Sequence, residues 1–85
     1  MDERDVAERT EAFLRRQFSI DSADRRFGRT VDLFESGYVD SLGLAELLQF
    51  IQDEFDVEIP DEDILSDDFS RIDGIARIVC TRVGT

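Results

Sequence analysis

Eighty-five residues and 9.8 kDa leave room for one small domain, burying only about 60–65% of its unfolded surface; a two-domain enzyme, a doubly wound nucleotide-binding fold and a barrel are excluded. The basic residues, ten in all and every one an Arg, face twenty-one acidic ones for a net charge of −11, which repels a phosphate backbone and excludes nucleic acid as an expected partner. With no His and no Lys in the chain, neither a Ser–His nor a Cys–His pair can be assembled, so catalysis is not expected.

Cys80 is the only cysteine and cannot form an internal disulfide, which fits a reducing compartment. The opening run Met1-Asp2-Glu3-Arg4 has no apolar stretch of the kind a signal peptide needs. No apolar run approaches the ~18 residues that span a bilayer. The expectation is a cytoplasmic monomer that does not enter a membrane, one domain over residues 1–85 with its core in 5–83. Charge is uneven along it: residues 1–30 hold seven Arg and seven acids, 31–70 hold thirteen acids and no Arg, and 71–85 hold three Arg and one acid. The middle of the chain carries the whole field. There is no internal repeat and no low-complexity segment.

A first helix is predicted over Asp5–Phe18, where Val6, Thr10, Phe13, Leu14 and Gln17 fall on one stripe, weakened by Thr10 and Gln17. Asp2, Glu3 and Asp5 near its start and Arg15 and Arg16 near its end match the macrodipole. Residues 19–40 show no sustained period. A connection of that length in a compact domain signals a functional loop, or a crossover between helices. Phe27, Val31, Leu33 and Phe34 can pin it to the core, and Gly28 and Gly37 offer positions for positive φ.

A second helix is predicted over Ser41–Phe55 with Asp40 as N-cap. Leu44, Leu47, Leu48, Ile51 and Phe55 share its core arc, with Ala45 at the edge. Pro60 cannot continue that helix, and Asp61–Leu65 reads as one short helical turn. A last helix over Arg71–Val83 puts Ile72, Ile75, Ala76, Val79 and Val83 on one face, with Ser70 as N-cap, Asp73 three residues on, and Gly84 as the stop. Cys80 lies at the edge of that face as a small buried hydrophobe. Nothing reads as a strand. The expected architecture is all-α: a small bundle of three main helices plus a short fourth, with a long loop between helices 1 and 2.

The outward face of the second helix carries Leu42, Glu46, Gln49 and Asp53, with Phe50 at its margin. An apolar anchor rimmed by carboxylates beside a long loop has the pattern of a docking contact, although single exposed leucines are ordinary. Ser41 stands where the loop becomes the helix. It is either a helix-start serine or the substrate of another enzyme, because no base is present to make it a nucleophile. The acids Asp61, Glu62, Asp63, Asp67 and Asp68 do not form a calcium loop: the sixth and twelfth positions from Asp61 are Ser66 and Ile72 rather than Gly and Glu. They read as a solvated stretch whose self-repulsion salt or Mg²⁺ relieves.

Asp40-Ser41-Leu42, the Glu46 that follows, and the run Asp53-Glu54-Phe55-Asp56-Val57-Glu58-Ile59-Pro60-Asp61-Glu62 resemble the acyl carrier protein family over residues 5–83. The resemblance implies that a phosphopantetheinyl transferase attaches 4′-phosphopantetheine from coenzyme A to Ser41. It implies that the arm's thiol carries acyl or aminoacyl groups as thioesters, and that Asp40, Leu42, Glu46 and Asp53 dock partners. Those partners would be an acyl- or aminoacyl-activating ligase and acyltransferase or synthase enzymes with basic docking surfaces, acting in trans. Gly43 and Gln52 stand where the fatty-acid type usually has acids. The Gly37-Tyr38-Val39-Asp40-Ser41-Leu42-Gly43 run looks more like stand-alone carriers serving amino-acid activation, such as D-alanyl carriers, or discrete carriers of natural-product pathways. In the fatty-acid carriers the helices open to shelter the cargo; here the same apolar faces would equally fill a small core. The alternative, from another class, is an acidic helical adaptor that binds a basic protein and is never modified.

Overall fold

The structure, a computed structural model, describes residues 2–83. Helix α1 spans Glu3–Gln17, starting before the expected Asp5. The reason is Asp2, whose carboxylate accepts the Asp5 N–H at 2.8 Å and caps the first turn. Val6, Ala7, Thr10 and Leu14 are buried on it. Thr10 does not weaken that face, because its hydroxyl donates to the Val6 carbonyl at 2.8 Å and is satisfied inside the helix. Gln17 is exposed and leaves the core stripe. Ser19, at φ 52°, turns the chain away.

The loop that follows is pinned by Phe27, Leu33 and Val39, all buried, with Val31 and Phe34 half-buried. Its polar groups close local turns: Asp24 accepts the Arg26 N–H, and Asp32 accepts the N–H groups of Phe34 and Glu35. Gly37 has positive φ, 87°; Gly28 does not, so the expectation there was wrong and its space is simply open. Two backbone bonds dock the loop onto the far end of the chain, Leu33 N–H to the Ser70 carbonyl (2.8 Å) and Asp73 N–H to the Arg29 carbonyl (3.0 Å).

Helix α2 spans Ser41–Phe55, as predicted. Gly43, Leu47, Ile51 and Phe55 are buried on it; Leu44 and Leu48 are half-buried and Ala45 is exposed. Asp56 ends it in the left-handed region (φ 51°, ψ 51°). After an extended stretch that buries Ile59 comes α3, Asp61–Ile64, with no buried residue. A 3₁₀ turn over Asp67–Ser70 then plants Phe69 in the core.

Helix α4 spans Ile72–Val83, burying Ile72, Ile75, Ala76 and Val79; Val83 is exposed. Ser70 is not its cap. Arg71 intervenes with extended backbone, the Ser70 hydroxyl donates to the Asp67 carbonyl at 2.6 Å, and Arg29 of the loop takes the Asp73 N–H that a cap would have received. The expected stop at Gly84 lies outside the described residues. Gly74 has a separate reason: a Cβ there would sit 1.9 Å from the Asp68 carbonyl oxygen, so α4 crosses the 3₁₀ turn backbone to backbone.

Helix α1 packs most closely on α4 and meets α2 through aromatic rings. Phe13 and Phe50 stack at 4.2 Å and 11°, so Phe50 belongs to the α1–α2 seam rather than to the margin of an outward face. The acidic stretch is only partly solvated. Arg82 pairs with Asp63 at 2.7 Å, Arg77 with Asp68 at 3.2 Å and Arg71 with Asp68 at 3.1 Å. Such exposed pairs stabilise by about 0–1 kcal/mol each. Four helices, three of them long, and no strand among the described residues make this the expected all-α bundle.

Candidate functional site

The start of α2 is built by its own cap. The Asp40 carboxylate accepts the Gly43 N–H at 2.8 Å and its carbonyl accepts the Leu44 N–H at 2.8 Å. Among the described residues, the N–H groups of Ser41 and Leu42 and the Ser41 hydroxyl take no protein partner. Ser41 is exposed. Its hydroxyl therefore stands open at a helix N-terminus, where free N–H groups and the dipole favour an added phosphate.

The chain leading into Ser41 is held from both sides. Phe27 and Tyr38 meet edge to face at 5.2 Å, and the Tyr38 hydroxyl donates to Asp24 at 2.8 Å. That bond holds the Asp24 carboxyl below the usual carboxylate range, helped by the Arg26 N–H, and raises the Tyr38 phenol. Beneath the first turn of α2, Gly43 is buried against the Phe18 ring, whose edge would lie 2.8 Å from a Cβ at that position. An acid at 43 would have to push this ring aside. That is the local reason for the glycine.

Leu42 is 71% exposed on α2. Glu46 and Asp53 share its side of the helix, but both are tied: Glu46 accepts from the Gln17 amide at 2.6 Å and Asp53 from the Gln49 amide at 3.0 Å. The carboxylates are thus oriented, and α1 contributes to a face read from α2 alone. Asp40 is exposed yet spends one oxygen on the cap. Leu65, at the end of α3, is the residue missed. It is 84% exposed and joins Phe34, Leu44 and Ile64 around an apolar cleft of about 290 Å³ beside the first turns of α2. The signal was a leucine at the end of a one-turn helix too short to bury it.

Cys80 is half-buried against the core, and burial pushes its thiol up. Among the described residues, no group of three or more metal-ligating side chains is placed to hold an ion. No helix among them is long and apolar enough to cross a membrane.

A family model described as "Phosphopantetheine attachment site" matches residues 12–79. The match takes in the loop, α2 and α3 whole, the C-terminal part of α1 and the first two thirds of α4. No curated protein and no solved structure matches the chain.

Proposed function

This chain belongs to the phosphopantetheine attachment site family, whose prosthetic group is 4′-phosphopantetheine, and from that premise we propose that it is a carrier modified on Ser41. The observation that carries the reading is the open Ser41 hydroxyl at the capped start of α2. When bound, the group supplies a terminal thiol that holds acyl or aminoacyl cargo as a thioester. The chain's own residues do the rest. Asp40 holds the first turn, so Ser41 is presented on rigid backbone. The Ser41 and Leu42 N–H groups, which take no protein partner, would hold the phosphate of the arm. The chain offers no His or Lys to take the Ser41 proton, so a base on the transferase must.

Residues 1–85 act as one carrier domain in this reading, in the cytoplasm, where the single Cys stays reduced. Leu42 supplies an apolar anchor, with Glu46 and Asp53 as oriented carboxylates and Asp40 beside the serine. Partners with basic docking surfaces are steered there by the acidic middle of the chain, at rates that fall with salt. Those partners are the transferase, an acyl- or aminoacyl-activating ligase, and acyltransferase or synthase enzymes. Gly43 and Gln52, where the fatty-acid type usually has acids, and the resemblance of the Gly37–Gly43 run support amino-acid activation or natural-product pathways over exchange with fatty-acid synthases.

Intact-mass analysis after incubation with coenzyme A and a broad-specificity transferase tests the reading. The wild-type chain is expected to gain one arm and Ser41→Ala none. Failure of the wild type across several transferases, or a gain by Ser41→Ala, overturns it and leaves the unmodified acidic adaptor.

A further inference from the structure

Glu11 on α1 is held by two arginines. One carboxylate oxygen accepts from Arg15 Nε at 3.4 Å, one turn on along the same helix, and the other from Arg29 Nε at 3.1 Å, in the loop. Arg15 also donates from Nη1 to the Asp21 carbonyl at 3.0 Å, and its guanidinium lies 4.7 Å from the Phe27 ring centroid. A flat guanidinium can meet a carboxylate, a carbonyl and a ring at once, which an ammonium cannot. Arg29 gives its carbonyl to the Asp73 N–H at 3.0 Å, so the same carboxylate steadies the loop's hold on α4. Among the described residues, every side-chain hydrogen bond between α1 and the loop over residues 19–40 involves Glu11 or Arg15.

Phe27 carries this hold toward Ser41. Its buried ring meets Tyr38 edge to face at 5.2 Å, and Tyr38 precedes Val39, which is also buried. Val39 donates its N–H to the Leu33 carbonyl at 3.0 Å, and its side chain lies 3.1 Å from where a Cβ would stand at Gly43, in the first turn of α2. We propose that Glu11 is a positioning residue for modification at Ser41: its two ion pairs seat Phe27, and through Tyr38 and Val39 the first turn of α2, in the arrangement a transferase reads. The inference rests on the reading of Ser41 as the attachment point. Packed rings and a buried aliphatic contact transmit a displacement that solvated side chains would absorb. Without Glu11 both arginines are released, and the loop populates the seated form less. A partner that binds only the seated form then shows a weaker apparent affinity, while the chemical step is unchanged.

The test pairs transferase kinetics with amide NMR of the unmodified protein. In Glu11→Ala the KM for this chain is expected to rise about fivefold with kcat unchanged, and the amides of Phe27 and of residues 38–42 are expected to shift. Glu11→Gln, whose amide oxygen can still accept from one arginine, should raise KM about twofold. In a Phe27→Leu background Glu11→Ala should raise KM no further, because the path through the ring is already cut. Should Phe27→Leu not fold, Arg15→Lys takes its place in the cycle, and additive rises in KM overturn the proposal in either background. A Glu11 that only stabilises the fold would lower the urea midpoint and leave KM alone, since the chain stays folded at the assay temperature. That result overturns the proposal, as do Glu11→Ala shifts confined to α1 and Arg29. A wild type that no transferase loads loses the carrier reading whatever the shifts show. One that is loaded with the same KM as Glu11→Ala loses only the positioning role.

Discussion

Two long helices begin at the end of a connection, and they begin differently. At α4 the start is closed: Arg29 covers the Asp73 N–H, Ile72 is buried, and Gly74 lies against the Asp68 carbonyl with no room for a methyl group. At α2 the cap is a side chain, Asp40, and the next residue keeps its hydroxyl and N–H open. A helix start that only holds the fold is filled by backbone from elsewhere. The start of α2 is instead capped locally and left uncovered, which is what the proposed modification of Ser41 by another protein requires.

Breaking the closed start has the largest expected effect. Gly74→Ala forces a Cβ into a backbone carbonyl, which cannot rotate away as a side chain could. It should cost about 3 kcal/mol in urea unfolding, despite alanine's better helix propensity. Wild-type stability would show that the crossing of α4 over the 3₁₀ turn is looser than described. Asp40→Ala at the open start should cost about 1 kcal/mol, the usual worth of a cap, and should also slow arm attachment because the first turn frays. Asp40→Asn, which can still accept the Gly43 N–H, should restore most of the stability. Equal losses for Ala and Asn would mean that charge rather than capping matters there.

The two starts were not equally legible in the sequence. Asp40 before a clean apolar period marked α2 at both ends, because cap and core arc are local signals. Ser70 carried the same local signal and misled, because Arg29, forty-one residues before it, supplied the partner through a tertiary contact that no window sees. Thr10 looked like a flaw in the α1 stripe, yet a hydroxyl can be satisfied by the turn before it. Phe50 fell at the margin on the helical wheel, but its ring is long enough to reach Phe13. The acids of 61–68 read as solvated because two of their arginine partners, Arg77 and Arg82, lie on α4 and reach them only through the fold. In the candidate site, the shared side of Leu42, Glu46 and Asp53 and the place of Ser41 at the helix start were readable from periodicity; the hold of Gln17 on Glu46 and the exposure of Leu65 needed three dimensions.

Electrostatics sharpens the contrast next. The α4 end has Arg71, Arg77 and Arg82 against Asp63 and Asp68, whereas residues 31–70, which include α2, hold no Arg at all. Added salt screens repulsion in the second region and attraction in the first. With a net charge of −11 the repulsion dominates, so Tm should rise with NaCl and further with Mg²⁺. Arg77→Gln should steepen that rise by removing an attraction that salt also weakens. A flat Tm would mean that self-repulsion contributes little.

The smallest effect probes how the loop delivers Ser41. One hydrogen bond, Tyr38 to Asp24, lowers the Asp24 pKa below its ordinary 3.8 and raises that of Tyr38 above its ordinary 10.0. The depressed carboxyl gives stability that is present above its unfolded pKa and lost as pH falls through the folded one; the raised phenol gives stability present below its unfolded pKa and lost as pH rises through the folded one. Both statements describe the same bond, so its contribution is a plateau closed by acid on one side and alkali on the other. Tyr38→Phe removes it. The stability gap between wild type and variant should be constant near neutrality and shrink in acid as Asp24 protonates. In a carbon-13 titration, Asp24 of the variant should move back toward 3.8 and stop short of it, because the Arg26 N–H still donates. An unmoved Asp24 would mean that the phenol only lies beside the carboxylate, leaving the Phe27 ring contact to position the approach to Ser41.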